Sequence, residues 1–275
     1  MATQNNPLKQ YFRRPAIYIK LPSGGKNYAP GVINMPPNEE LPVYPMTAID
    51  EITTRTPDAL FNGSAVAELI TSCVPNIKDP WSLNNIDLDA VLIGIRTAAG
   101  GNKIEIQTTC PACTEEAIFD VNLVGLLNNL NINNYEQELV LGDLIIKFRP
   151  LTYQQVNEIS TSQFQVQKIF ERLDAMEPEE KNAKIKEALI LTTNLTIDAL
   201  SKTIQYIKTP AAFVEETSFI LEFLQNLDKN DFTKIKDYNV ELKQSSEMKP
   251  LHITCIHCKH EYDQTFTLNI SDFFG

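Results

Sequence analysis

The chain has 275 residues, of which 43% are hydrophobic and 21% are charged, and its formal net charge is −11. These are the values of an ordinary globular protein, and no apolar run approaches the ~18–20 residues of a membrane span. Because phosphate contacts dominate affinity for nucleic acid, the negative charge argues against a nucleic-acid-binding protein. Residues 1–7 are polar and lack the apolar core of a signal peptide, so we expect a protein that stays in the cytoplasm or is assembled there.

Residues 1–47 are predicted to form an extended, proline-rich arm. Prolines recur every few residues from Pro7 to Pro45, and residues 16–21 alternate in polarity like a short strand. We interpret the Ser-Gly-Gly-Lys sequence of residues 23–26 as a turn, because a phosphate-binding loop needs wider glycine spacing and a following helix. Such an arm must pack either on its own body or on a neighbouring subunit.

Residues 48–102 are predicted to be helical. Thr47 is a candidate N-cap for the first helix, and residues 56–61 carry proline at a first helical position. An apolar stripe marks residues 87–99 as a further helix. Cys73 lies near a helix end and is expected to be an inert buried thiol.

Residues 103–150 are predicted to form β-hairpins. Polarity alternates on both sides of a tight corner that contains Cys110 and Cys113, which predicts a hairpin closed by a Cys-x-x-Cys sequence. A second hairpin is predicted over residues 138–149, around Gly142 and Asp143.

Residues 151–249 are predicted to be a helical insertion, since apolar residues recur at helical spacing. The simplest interpretation of these residues is a core, and a partner-binding groove is the alternative. The candidate helices cover residues 153–173, 179–193, 196–207, 211–227 and 231–238.

Residues 250–275 repeat the pattern of the first hairpin. A strand leads into a corner with Cys255 and Cys258, and an alternating segment leaves it. The predicted fold class is therefore α+β, with a mainly helical body, a two-hairpin, four-cysteine module that resembles a zinc ribbon, and the extended N-terminal arm.

The four cysteines of the two corners predict one structural zinc site. Structural zinc takes four ligands in a tetrahedron, and two Cys-x-x-Cys corners that face each other supply Cys110, Cys113, Cys255 and Cys258. The alternatives are two separate reduced pairs, redox-active or disulfide pairs, an iron–sulfur cluster, and His257 as a competing ligand.

No catalytic motif is found. The three histidines all fall within residues 250–275, and no nucleophile-elbow, metalloprotease, Walker or dinucleotide-binding pattern is present. A zinc ion with four cysteine ligands has no open position for water, so the predicted site does not indicate catalysis. We expect a protein that is not an enzyme.

Five stretches are distinctive beyond their composition, namely residues 14–25, 44–51, 56–63, 73–75 and 88–96. These stretches resemble the T4-type bacteriophage baseplate hub proteins. The resemblance extends over roughly residues 10–125, and residues 146–152 look like a segment common in phage tail assembly proteins.

The resemblance implies a structural or morphogenetic role in a contractile tail. It implies a central hub subunit or a hub assembly factor, with other phage tail and baseplate hub proteins as partners and with self-association left open. The implied location is the virion tail baseplate, assembled in the host cytoplasm. The alternatives are a tail assembly chaperone absent from the virion and a zinc-ribbon adaptor for nucleic acid or the transcription machinery.

Overall fold

The computed structural model describes residues 6–56, 62–130, 133–172, 178–246 and 248–265. The fold mixes helix and sheet and is 49% helical, which confirms the mixed class that the sequence predicts. The helix start expected at residues 57–61 and the strand end expected at residues 266–268 lie outside the described residues.

Eight α-helices and ten strands are found among the described residues. None of these helices combines the length and the apolar content that crossing a bilayer requires. The helices are α1 (Ala48–Thr54), α2 (Ser64–Cys73), α3 (Asn85–Ala98), α4 (Leu123–Asn129), α5 (Tyr153–Arg172), α6 (Pro178–Thr203), α7 (Thr217–Asn226) and α8 (Lys229–Ser246). The strands are β1 (Ile17–Ile19), β2 (Leu41–Val43), β3 (Lys103–Thr109), β4 (Glu116–Asn122), β5 (Glu138–Leu141), β6 (Leu144–Phe148), β7 (Ile204–Lys208), β8 (Phe213–Val214), β9 (Leu251–Thr254) and β10 (Glu261–Gln264).

All of the sheets are antiparallel. Three are two-stranded and pair β1 with β2, β3 with β4, and β9 with β10, while the fourth has the order β5-β6-β7-β8. The chain divides into two compact units. Unit 1 comprises residues 1–80, 87–130 and 248–275, and unit 2 comprises residues 81–86 and 131–247. Unit 2 is therefore inserted between stretches of unit 1.

The core of unit 1 forms where the β1–β2 pair packs on α3. A Cβ atom placed on Gly94 would lie 3.1 Å from two side-chain carbons of Ile19 and 3.6 Å from Val43. Glycine at this point of α3 therefore allows the strands to approach the helix closely. The fully or almost fully buried members of the core include Ile19, Leu41, Val43, Val66, Leu69, Ile70, Val91, Ile93 and Ile95.

The N-terminal segment is anchored on unit 1 by Arg13. The guanidinium donates hydrogen bonds to the backbone oxygen and the hydroxyl of Ser72, at 2.8 and 2.7 Å, and lies 3.3 Å from the Asp50 carboxylate. Asp50 also completes a capping box with Thr47, as the sequence predicts for α1. Burial opposes ionisation of Asp50, but the Thr47 and Ser72 hydrogen bonds and the charge of Arg13 outweigh it and lower its pKa.

The Ser-Gly-Gly-Lys turn of residues 23–26 wraps around a buried carboxylate. Asp87, in the first turn of α3, accepts a 2.9 Å hydrogen bond from the Ser23 backbone N–H and a further bond from its hydroxyl. The Tyr28 hydroxyl donates to the same carboxylate at 2.6 Å. The segment is a turn, as predicted, and it fastens the arm to α3.

The core of unit 2 lies between the four-stranded sheet and the helices α6, α7 and α8. The β5–β6 hairpin predicted over residues 138–149 is confirmed, with Leu141 opposite Leu144 across its turn. The buried members of this core are Ile146, Phe148, Leu200, Ile204, Ile207, Ile220, Leu224, Ile235 and Leu242.

The helical prediction for residues 196–207 and 211–227 is partly wrong. A single helix, α6, ends at Thr203, and the chain continues as β7 from Ile204 to Lys208. Strand β8 then precedes α7, which begins at Thr217. Ile204 and Ile207 are both buried, and their three-residue spacing favours a helix. In the structure, an irregularity in the register of β7 with β6 separates them and interrupts the strand alternation.

Replacing Gly94 by valine is expected to destabilise the protein by about 1–3 kcal/mol, since the added side chain overpacks the contact of α3 with Ile19. Chemical denaturation measures the change. Gly125 is the matched control, because it is also helical and its Cβ would meet only Asn122, at 4.0 Å. Gly125→Val is expected to change stability by less than about 0.5 kcal/mol. Equal losses in the two variants would contradict the close packing at Gly94.

Candidate metal centre

The two Cys-x-x-Cys corners, called knuckles below, have the same backbone structure. In the first, the Cys110 N–H donates to the carbonyl of Glu115 at 3.0 Å, and the Thr114 N–H donates back to the carbonyl of Cys110 at 2.9 Å. In the second, Cys255 makes the equivalent bonds with the carbonyl of His260 and the N–H of Lys259, at 2.9 and 3.1 Å. Each corner is therefore closed by hydrogen bonds within its own hairpin.

Both knuckles turn through a left-handed residue at the same position. Thr114 has a φ of 60° and Lys259 a φ of 63°, and each directly follows the second cysteine of its corner. Left-handed conformations are unfavourable for residues with a side chain, and most of all for a β-branched residue. That both corners keep this conformation without glycine indicates that surrounding contacts impose it.

The structure brings the four predicted cysteine ligands together. All four sulfur atoms of Cys110, Cys113, Cys255 and Cys258 lie within 4.8 Å of one another. Sγ of Cys110 is 3.7 Å from Sγ of Cys258, and Sγ of Cys113 is 3.7 Å from Sγ of Cys255. A disulfide would need a separation of about 2.05 Å. A tetrahedron with metal–sulfur bonds of about 2.3 Å has edges of about 3.8 Å, so the donor atoms fit a thiolate-bound metal.

The two knuckles meet as equivalents. In each close pair, the first cysteine of one corner lies beside the second cysteine of the other. The hairpins also share their register, because Thr109 pairs with Glu116 in one and Thr254 pairs with Glu261 in the other. This reciprocal pairing is that of a two-fold arrangement within one chain.

The thiols of the cluster do not ionise independently. The backbone N–H of Cys258, with a smaller contribution from that of His257, outweighs desolvation and lowers the pKa of Cys255 to about 6. The backbone N–H of Glu115 acts in the same direction on Cys113, but desolvation and hydrogen bonds with the other three thiols raise its pKa to about 12. The thiolate form is therefore favoured at Cys255 and the thiol form at Cys113, and a bound divalent cation would favour the thiolate at both.

A hydrogen bond joins the hairpins independently of the cysteines. The hydroxyl groups of Thr108 and Tyr262 are 2.6 Å apart, and Thr108 is buried. Because the hairpins share their register, Ile253 in the second hairpin corresponds to Thr108, and Ala117 in the first corresponds to Tyr262. Both Ile253 and Ala117 are buried apolar residues. This pair was not predicted from the sequence. The available signal was a polar threonine two residues before Cys110, on the inward face of an alternating strand.

The histidines stay outside the cluster of four sulfur donors. Among the described residues, the group able to hold a metal ion contains only cysteines. His257, the candidate competing ligand, is exposed. His252 is also exposed, and its ring bonds Asp263 at 3.0 Å, which raises its pKa.

The fifth cysteine takes no part in the cluster. Cys73 is the last residue of α2 and is fully buried, as predicted, with the Arg13 guanidinium 3.8 Å from its sulfur. Burial raises the pKa of this thiol to about 11, so it stays protonated and unreactive at neutral pH.

Comparison with known proteins identifies the family. A family model described as the T4 bacteriophage base plate protein matches residues 16–275. The chain belongs to this family. The match includes both knuckles and everything between them. No curated protein and no solved structure matches the chain significantly.

In this baseplate-family chain, Tyr262→Phe is expected to lower stability by about 1 kcal/mol, because it leaves the buried Thr108 hydroxyl without its partner. Urea denaturation measures the loss. Tyr18→Phe is the matched control and is expected to leave the stability unchanged, because Tyr18 is 60% exposed. The double variant Thr108→Val/Tyr262→Phe should lose less than the two single changes added together. Strict additivity would show that the hydroxyls do not interact.

Proposed function

We propose that this protein is a structural component of a contractile phage tail baseplate, either a central hub subunit or a hub assembly factor. The observation that carries the proposal is the family match over residues 16–275, which leaves no large part of the chain for another role. The resemblance of residues 10–125 to hub proteins supports the hub in particular. The partners are then other baseplate proteins, and the location is the virion tail.

The second part of the proposal is that Cys110, Cys113, Cys255 and Cys258 hold one structural zinc ion. Four thiols within 4.8 Å, without a nearby carboxylate or histidine in the described cluster, form the soft donor set that zinc prefers. Bound zinc would cross-link two hairpins of unit 1 that are separated in sequence by residues 131–247 of unit 2. This suits a structural protein, because the cross-link adds stability without adding reactivity.

We further propose that the protein is not an enzyme. Four cysteines saturate a tetrahedral metal and leave no position for water or substrate. Cys73, the remaining cysteine, has a raised pKa of about 11 and is a poor nucleophile.

Two other functions remain as alternatives. A tail assembly chaperone would share the family and the fold but be absent from the finished particle. A zinc-ribbon adaptor for nucleic acid or the transcription machinery is less well supported, because the net charge of −11 opposes phosphate binding. Tight DNA binding at low salt would favour this alternative over the baseplate role.

Purified protein is expected to contain one zinc ion per chain, and Cys255→Ser is expected to lose it, because three thiolates do not complete the tetrahedron. Elemental analysis measures the metal, and thermal denaturation should show a lower melting temperature for the variant. Cys73→Ser makes the same chemical change outside the cluster and should keep its zinc. Zinc-free wild-type protein, or full zinc in Cys255→Ser, would refute the shared site.

Removing the gene from a phage that encodes this chain is expected to abolish complete baseplates, because a hub component is needed before the structure can close. Electron microscopy of lysates detects the defect, and complementation with the intact gene is the control. Mass spectrometry of purified particles then separates a subunit, which is present, from a chaperone, which is absent. Normal tails without the gene would refute the baseplate role.

A further inference from the structure

Charge is distributed very unevenly along the chain. Residues 1–38 contain five of the 24 basic residues and none of the 35 acidic ones, so they carry +5 and the remaining residues carry −16. The overall charge of −11 conceals this division. Such a contrast favours contact between the basic segment and an acidic surface, by attraction at long range and by pairing at short range.

The basic segment presents large apolar side chains to solvent. Residues 6–12 are all exposed, and they include a short 3-10 helix, Pro7–Tyr11. Leu8 is 60% exposed, Tyr11 77% and Phe12 57%. Residues 6–14 are called the arm tip below. It is fastened at its base by Arg13, so docking it onto a partner requires less loss of conformational freedom than docking a free tail.

An exposed surface of opposite charge lies in unit 2, around the start of α7. Glu216, the N-cap of α7, and the helical residues Phe219 and Glu222 are exposed. They are three residues apart, so they lie on one side of this helix. Phe213 on β8 and the adjoining Glu215 extend this surface, and the two phenylalanines are 56% and 63% exposed. Residues 209–228 contain four acidic residues and no basic one, and they are bordered by Lys208, which pairs with Phe213, and by Lys229. Residues 213–222 are called the acidic aromatic surface below.

We propose that the arm tip of one copy of this chain docks on the acidic aromatic surface of a second copy. The two surfaces are complementary both in their apolar side chains and in their charge. Aromatic and aliphatic side chains on each supply a desolvated centre, and opposite charges surround it. Lys9 and Arg14 are exposed on the arm tip, and Glu215 and Glu222 are exposed on the acidic aromatic surface.

The proposed contact joins two different surfaces, so it is a heterologous contact. Each copy keeps a free arm tip or a free acidic aromatic surface after pairing, and further copies can add. This inference does not depend on the baseplate role or on zinc, because it concerns contacts between copies of the purified chain.

Sedimentation velocity of the full-length protein at low ionic strength tests the proposal. The wild type is expected to associate with increasing concentration, and added salt is expected to weaken the association by screening the charges. Lys9→Glu/Arg14→Glu is expected to weaken it by about tenfold or more, and Glu215→Lys/Glu222→Lys by a similar factor. The matched controls are Lys186→Glu/Lys236→Glu and Asp237→Lys/Glu241→Lys, which change the net charge equally at exposed positions outside both surfaces and should associate like the wild type.

Mixing the two disrupted variants gives the decisive result. The first has an intact acidic aromatic surface and the second an intact arm tip, so the mixture is expected to associate although neither variant does so alone. Recovery also shows that both variants are folded. Monomeric wild type at all concentrations would overturn the proposal, and so would equal losses in the controls or a mixture that stays monomeric.

Discussion

Unit 1 is built from separate stretches of chain, and four sulfur atoms mark the place where two of them meet. Cys113 and Cys255 are 142 positions apart in sequence, yet their sulfur atoms are separated by 3.7 Å. Closing so long a loop is entropically unfavourable, so contacts at the meeting point must compensate. The Thr108–Tyr262 hydrogen bond and the buried Ala117 and Ile253 contribute beside the thiols. A metal bound by all four cysteines would add a much larger stabilisation.

Each knuckle at this meeting point has its own backbone hydrogen bonds and its own left-handed turn. Where the hairpins meet, the first cysteine of each corner lies beside the second cysteine of the other. At the N-terminus, Arg13 fixes the base of the arm on unit 1 and leaves residues 6–12 exposed to solvent.

Sequence patterns predicted the parts of this protein whose signals are local. Strand alternation and the Cys-x-x-Cys spacing predicted both hairpins, and Thr47 was correctly predicted as the N-cap of α1. The β7 and β8 strands were missed, because Ile204 and Ile207 have helical spacing and the strand forms only through pairing with β6, at an irregular register. The roles of Arg13 and Tyr262 depend on residues far away in sequence, and no local pattern predicts such contacts.

The insertion of unit 2 between the two knuckles also has a consequence for biosynthesis. A ribosome reaches Cys255 only after translating all of unit 2, and at roughly 5–20 residues per second the delay is on the order of ten seconds. During that interval only the two thiols of the first knuckle have been synthesised. A chain interrupted within unit 2 never receives the other pair. Closure of the four-cysteine cluster therefore reports that translation has passed through the whole insertion, and a chain that ends prematurely within unit 2 could not form the cluster.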